Sequence, residues 1–147
     1  YRNVIPNFIY WAMQGRGLPI TGTGDETRDF TYVLDLVQGL LKSSYYKEAI
    51  GENFNLASGV EIKINKVADL VNNATSNDTP INFRPTRKWD TKKRLLASID
   101  KANKLIDYRP VGNFEEGFKE NYLWLKANWD KINDLADFPP GLSSAVR

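Results

Sequence analysis

The chain contains neither cysteine nor histidine. Without cysteine, a disulfide framework and a thiolate metal site are both excluded. Without histidine, imidazole general bases, serine-type triads and the commonest zinc sites go as well. No metal site is expected. Long apolar runs are also lacking. The richest stretches, residues 33–41 and 122–125, are interrupted or followed by Asp35, Gln38 and Lys126, far short of the roughly 18–20 residues that a membrane span requires. No signal-peptide pattern is visible, and no membrane partner is expected. Charge of one sign is scarce too: 20 Lys and Arg against 18 Asp and Glu leave a net charge of +2. Bulk electrostatics therefore single out no polyanion, and nucleic acid is not expected as a partner. The missing cysteine agrees with a cytoplasmic setting.

What is present is ordinary globular material. With 147 residues, 41% of them hydrophobic and 26% charged, the chain suits one compact unit with its own core. It opens on Tyr1-Arg2-Asn3-Val4, which reads as the inside of an element, so a portion of a larger protein is expected.

Helical and strand-like patterns alternate. Ile5, Phe8, Ile9, Ala12 and Met13 fall at helical spacing around Pro6, with Gly15 as a stop. Leu18-Pro19-Ile20-Thr21 reads as a short strand, and residues 28–32 as another extended piece. Val33, Leu36, Val37, Leu40 and Leu41 form a strong amphipathic stripe. Phe54-Asn55-Leu56-Ala57 reads as a strand ended by Ser58-Gly59. A helix carries Ile64, Val67, Ala68 and Val71, then gives way to an expected loop at residues 72–79. Ile81-Asn82-Phe83 alternates as a strand does, and a basic stretch follows over residues 84–94. Ile99, Ala102, Leu105 and Ile106 mark a further helical stripe. Asn113 with Glu116 resembles a capping box, opening a long helix with Phe114, Phe118, Tyr122 and Leu125 on one face. Residues 136–147, with Pro139-Pro140-Gly141, read as a loose tail after a unit spanning 1–135.

No glycine-rich phosphate turn opens a dinucleotide-binding unit, since Gly22-Thr23-Gly24 is followed by Thr27 where a third glycine would fall. Five stretches nevertheless carry a resemblance. They are Asn3-Val4-Ile5-Pro6; the run from Pro19-Ile20-Thr21 through Gly22-Thr23-Gly24 to Thr27-Arg28-Asp29-Phe30-Thr31-Tyr32-Val33 and Asp35; Phe54-Asn55-Leu56-Ala57-Ser58-Gly59; Arg87-Lys88-Trp89-Asp90; and Asp100-Lys101-Ala102 leading to Tyr108-Arg109-Pro110. In this order they resemble the C-terminal, substrate-binding portion of the extended short-chain dehydrogenase/reductases, the NAD-dependent sugar-nucleotide epimerases and dehydratases.

The resemblance implies an α/β fold, a small helix-rich mixed subdomain with a few short strands, with the Rossmann half absent from this chain. It implies a nucleoside diphosphate sugar as ligand and the missing N-terminal Rossmann half as partner, with NAD held by the parent enzyme and none by this portion. Epimerase is the leading reading of the parent; dehydratase, decarboxylase or a non-enzymatic anion-binding module are the alternatives. By the same match, Arg28 and Arg87 bind the diphosphate and Asp90 accepts from the ribose. Asn3 and Val4 touch the nucleotide, and Pro19, Ile20 and Thr21 lie along the base. Bland readings stand beside these. Arg28 can pair with Asp29 or Asp25, Arg87 and Asp90 can pair with each other, and Arg94 can take the place of Arg87. Lys92 and Lys93 read as a solvated basic face, and Asp35 as a structural residue tying the preceding turn.

The family's catalytic Tyr-x-x-x-Lys is not expected here. Its one formal match, Tyr122-Leu123-Trp124-Leu125-Lys126, lies on the apolar stripe of the terminal helix. No catalytic residue is therefore assigned, and the chain by itself should not turn over a nucleotide sugar. Chromatography of nucleotide sugars incubated with the chain and NAD checks this; any epimerised product contradicts it.

Overall fold

A computed structural model describes residues 3–88 and 90–135. The tail expected over 136–147 and Trp89 lie outside them. Helix α1 (Val4–Met13) places Pro6 in its first turn, where the missing N–H is no loss. It ends in a left-handed turn at Gly15, with the Gly15 N–H donating to the Ala12 carbonyl and the Arg16 N–H to the Trp11 carbonyl. This reversal feeds strand β1 (Pro19–Thr21), which pairs in parallel with β4 (Asn82–Arg84).

A second small sheet has the order β3-β2-β5. Its centre is β2 (Thr27–Asp29), antiparallel to β3 (Glu61–Lys63) and parallel to β5 (Arg94–Leu95). The sequence reading made the middle extended piece run to Tyr32, but pairing stops at Asp29 and Tyr32 becomes the N-cap of α2 (Val33–Tyr45). Strands β3 and β5 went unseen, because two or three residues give too little alternation to detect.

Helix α3 (Ile64–Thr75) continues through the polar residues 72–75 that read as loop, ending where Ser76 turns left-handed. Its apolar stripe, Val67, Ala68 and Val71, is fully buried, and a helix anchored by such a stripe tolerates a polar last turn. Helix α4 (Asp100–Ile106) follows, then α5 (Phe114–Ala127), capped by the Asn113 side chain, which accepts from the backbone N–H groups of Glu115 and Glu116. The long terminal helix expected from the stripe breaks at Asn128 into α5 and α6 (Trp129–Leu135).

The apolar residues sort into two clusters. The larger joins α1, β1, β3, α3 and α5 around Phe8, Ile9, Leu18, Ile20, Val67, Val71 and Phe118. The smaller has only Ala102, Ile106 and Tyr108 fully buried, flanked by Phe54, Leu56 and Tyr46. Among the described residues, the strand expected at residues 54–57 has no ladder. Helix α2 forms as its periodicity requires, but its stripe faces outward, and the residues it buries are Asp35 and Gly39.

Asp35 is 3% exposed and accepts from the backbone N–H groups of Val111 (2.8 Å) and Gly112 (3.0 Å). It thus has a structural role, although it ties the segment ahead of α5 and not the turn before it. Asp35→Asn strands one of those N–H groups against an amide donor. We expect a loss of about 2 kcal/mol, read as a lower urea midpoint at constant slope. An unchanged midpoint contradicts this role.

Candidate functional site

A broad groove of about 1510 Å³ runs between the start of α1, β1, β2 and the segment ahead of α5. That exceeds the roughly 300–1,000 Å³ of an ordinary small-molecule pocket.

Strand β2 supplies its most informative cation. Successive strand residues point to opposite faces, so Arg28 and Asp29 turn away from each other. Asp29 is spoken for: its carboxylate accepts from the Ser58 backbone N–H (3.0 Å), the Ser58 hydroxyl and the Gly59 N–H (3.0 Å). Asp25 pairs with Lys63 at 2.9 Å. Half-buried Arg28 is therefore left without a carboxylate within ion-pair distance among the described residues, and its Nη1 donates to the Thr27 carbonyl at 2.7 Å. Both bland pairings of Arg28 are absent.

Arg87 and Asp90 do pair. Arg87 Nε and Nη2 donate to Asp90 Oδ2 at 3.0 and 2.8 Å, so each offsets the other's charge. Both still line the groove with Arg28. Arg94 does not; its Nε donates to Glu61 at 2.7 Å beside β5. Asn3 and Val4 reach the groove at the start of α1, whose first-turn N–H groups carry a partial positive charge. Pro19, Ile20 and Thr21 line it too, but the Ile20 side chain is 1% exposed and belongs to the core. All eight residues singled out from the sequence thus border one groove.

The main chain of β1 adds a feature that side chains do not reveal. The Gly22 N–H donates to Arg84 and the Leu18 carbonyl accepts from Asn82, so the even-numbered residues face β4. The polar backbone groups of Pro19 and Thr21 must then point to the opposite edge. Among the described residues no strand covers that edge.

Tyr32 was missed as a groove residue although it stands in the quoted run. Its hydroxyl donates to Glu120; that bond, then partial burial, raises its pKa. Its ring packs so closely on Gly112 and Gly117 that a Cβ at either would meet it. No sequence spacing signals such a contact. Lys92 and Lys93 are exposed as expected, yet they also border the groove. Tyr122 and Lys126 do not: Tyr122 stacks on Phe118, and Lys126 lies over the Tyr122 ring.

Gly22-Thr23-Gly24 joins β1 to β2 instead of a strand to a helix, and the Gly24 N–H donates to the Glu26 carboxylate at 2.9 Å. A turn whose N–H groups face an internal carboxylate does not suit a dinucleotide phosphate. These residues do not fit NAD.

An α/β lobe with a broad groove lined by both acidic and basic side chains is the class of structure so defined. The chain belongs to the GDP-mannose 4,6 dehydratase family, whose model matches residues 1–121. It is similar to UDP-glucuronic acid decarboxylase 1 of Danio rerio, 36% identical over 117 residues, covering 80% of this chain and 27% of the relative. Among solved structures, the epimerase Mth375 of Methanothermobacter thermautotrophicus superposes with a TM-score of 0.88 at 50% identity, covering 91% of this chain and 40% of that one. Bordetella bronchiseptica WbmF in complex with NAD+ and UDP gives 0.74 at 33% identity, covering 90% and 39%. The chain therefore spans between a quarter and two fifths of the length of these relatives. The expected fold, a helix-rich part of an extended short-chain dehydrogenase/reductase with few short strands, is borne out.

Glu61 holds the groove's sheet together, accepting from Arg94 and from the Thr27 hydroxyl, and both bonds lower its pKa below its ordinary 4.5. The stability these bonds confer is present above pH 4.5 and lost as pH falls through the lower folded value. We expect the stability gap between wild type and Glu61→Gln to close on acidification from about pH 6 to 3. Curves that stay parallel contradict this.

Proposed function

We propose that this chain is the sugar-nucleotide-binding portion of an NAD-dependent nucleotide-sugar epimerase, the parent transiently oxidising a sugar carbon and re-reducing it. One observation carries the reading: Arg28 is held half-buried in a large groove with no carboxylate partner among the described residues. Keeping a guanidinium there is costly unless an anion completes the site, and its planar fork suits a diphosphate.

The neighbouring walls fit the remainder of such a ligand. The amino end of α1, with Asn3 and Val4, adds partial positive charge for the phosphates. Arg87 and Asp90 offer a donor and an acceptor to phosphate and ribose. The open edge of β1 offers the Thr21 N–H beside main-chain carbonyls, complementary to the carbonyl and N–H of a uracil base. Threonine at 21 leaves no aromatic ring there to stack on the base. The relatives support the ligand class, since WbmF was solved with UDP and NAD+.

NAD and the groups that move protons belong, in this proposal, to a Rossmann portion outside this chain. The bound dinucleotide supplies hydride acceptance and return; the residues described here bind and orient the sugar nucleotide. A cytoplasmic location is part of the same reading. The Danio rerio relative favours a second reading, a decarboxylase parent acting on a nucleotide-linked uronic acid. Product analysis of the parent enzyme separates the two, because decarboxylation releases carbon dioxide and epimerisation releases nothing.

Titrating UDP-glucose into the parent protein tests the proposal. Arg28→Ala should weaken binding about 10- to 100-fold, the loss of one charge-assisted contact worth roughly 1.5–3 kcal/mol. Its urea midpoint should hardly move, since no ion pair is lost. Unchanged affinity in the variant, or steeply salt-dependent binding of a short RNA with no response to nucleotide sugars, overturns it.

A further inference from the structure

Glu26, Asp29, Asp90, Glu115 and Glu120 bring carboxylates to the groove. Most of them are held by a cation or by backbone N–H groups. Asp90 accepts from Arg87, and Glu115 pairs with Lys66 at 2.8 Å. Asp29 accepts from the N–H groups of Ser58 and Gly59, and Glu26 from that of Gly24. Glu120 differs. Its Oε2 accepts from the Tyr32 hydroxyl at 2.5 Å, and among the described residues it has no cation within ion-pair distance and no partner for Oε1.

Tyr32 fixes where that carboxylate stands. A Cβ at Gly112 would lie 3.2 Å from Tyr32 Cδ1, and one at Gly117 would lie 3.0 Å from Cδ2, so the ring is wedged between the two glycines. Glu120 follows Gly117 by three residues on α5, which sets it on the same helix face. A carboxylate pinned through one oxygen by a wedged phenol has already lost side-chain freedom. A ligand that binds the other oxygen then sacrifices less.

The register of the small sheet shows which part of a ligand meets Glu120. Strand β5 runs parallel to β2 with Thr27 opposite Arg94, and the Thr27 N–H donates to the Lys93 carbonyl. Lys92 and Lys93 therefore lie toward the start of β2, the end that the turn from β1 feeds. Tyr32 stands beyond the other end, three residues past Asp29. A nucleotide sugar with its base on β1 and its diphosphate at Arg28 reaches Tyr32 and Glu120 with its sugar.

We propose that Glu120, positioned by Tyr32, accepts hydrogen bonds from the hydroxyl groups of an uncharged sugar and turns away a sugar that bears a carboxylate. This rests on the proposed function for the diphosphate at Arg28. An ionised carboxylate can only accept, and sugar hydroxyls are the donors that complete it. A uronic acid brings a second negative charge instead, and like charges set side by side repel. No described cation stands at Glu120 to offset that repulsion. The choice bears on the parent, because a decarboxylase must accept a uronic acid and Glu120 disfavours one.

Dissociation constants of the parent protein for UDP, UDP-glucose and UDP-glucuronic acid test this. Wild type should bind UDP-glucose at least about 10-fold more tightly than UDP-glucuronic acid, a preference that needs no variant to measure. Glu120→Gln removes the charge and should tighten UDP-glucuronic acid about 10-fold, erasing the preference. Glu120→Asp keeps the charge and should keep the preference. Glu120 is exposed, so neither change threatens the fold. UDP carries no sugar and should bind wild type and both variants alike. A wild type that binds UDP but favours UDP-glucuronic acid, or a Glu120→Gln variant with the wild-type ratio, overturns the role of Glu120 and leaves the diphosphate reading intact. A wild type that binds neither UDP nor either nucleotide sugar overturns both.

Discussion

The character of the groove depends on how strand β2 distributes its charges. Because adjacent strand residues face opposite ways, Asp29 is committed to the backbone of Ser58 and Gly59 while Arg28 is left without a carboxylate within ion-pair distance among the described residues. One short strand thereby does two jobs: its anion fastens the lobe, and its cation remains available. Were Arg28 and Asp29 paired, the half-buried guanidinium would be neutralised and the case for an anionic ligand would rest on Arg87 and the exposed Lys92 and Lys93. Arg87 already shares its charge with Asp90.

The same stretch of chain links the groove to the less finished side of the molecule. After Arg28 the polypeptide passes through Tyr32, which wedges against Gly112 and Gly117, and into α2 with Asp35 holding Val111 and Gly112. The larger core around α1, α3 and α5 is self-sufficient, while the lobe of α2, residues 54–57 and α4 has apolar surface to spare. The groove itself is walled by the larger cluster, through residues such as Phe8, Phe30, Phe114 and Phe118.

Much of this was legible in the sequence. The stripes of α1, α2, α3 and α5 predicted their helices because a 3.6-residue period over ten or more residues is hard to produce otherwise. The eight groove residues were found through a family resemblance, since no local spacing brings Arg28 and Arg87 together. Other features were invisible for physical reasons. Periodicity declares that α2 has an apolar face but not what covers it, and the stripe lies open among the described residues. Residues 54–57 have the composition of a strand, but a strand is made by its ladder, and none of the described residues provides one. Conversely, β3 and β5 were overlooked because their pairing comes from β2 and not from any pattern of their own. The Arg87–Asp90 pair could be stated only as an alternative, because three residues' separation permits both pairing and independence.

The most direct test of the central claim is an NMR measurement of intermolecular contacts with UDP bound to the parent protein. The account predicts uracil protons close to the Thr21 amide and perturbation of the Arg28 guanidinium by the phosphates. Contacts from the base to the basic stretch at residues 84–94, with Arg28 unperturbed, would contradict it.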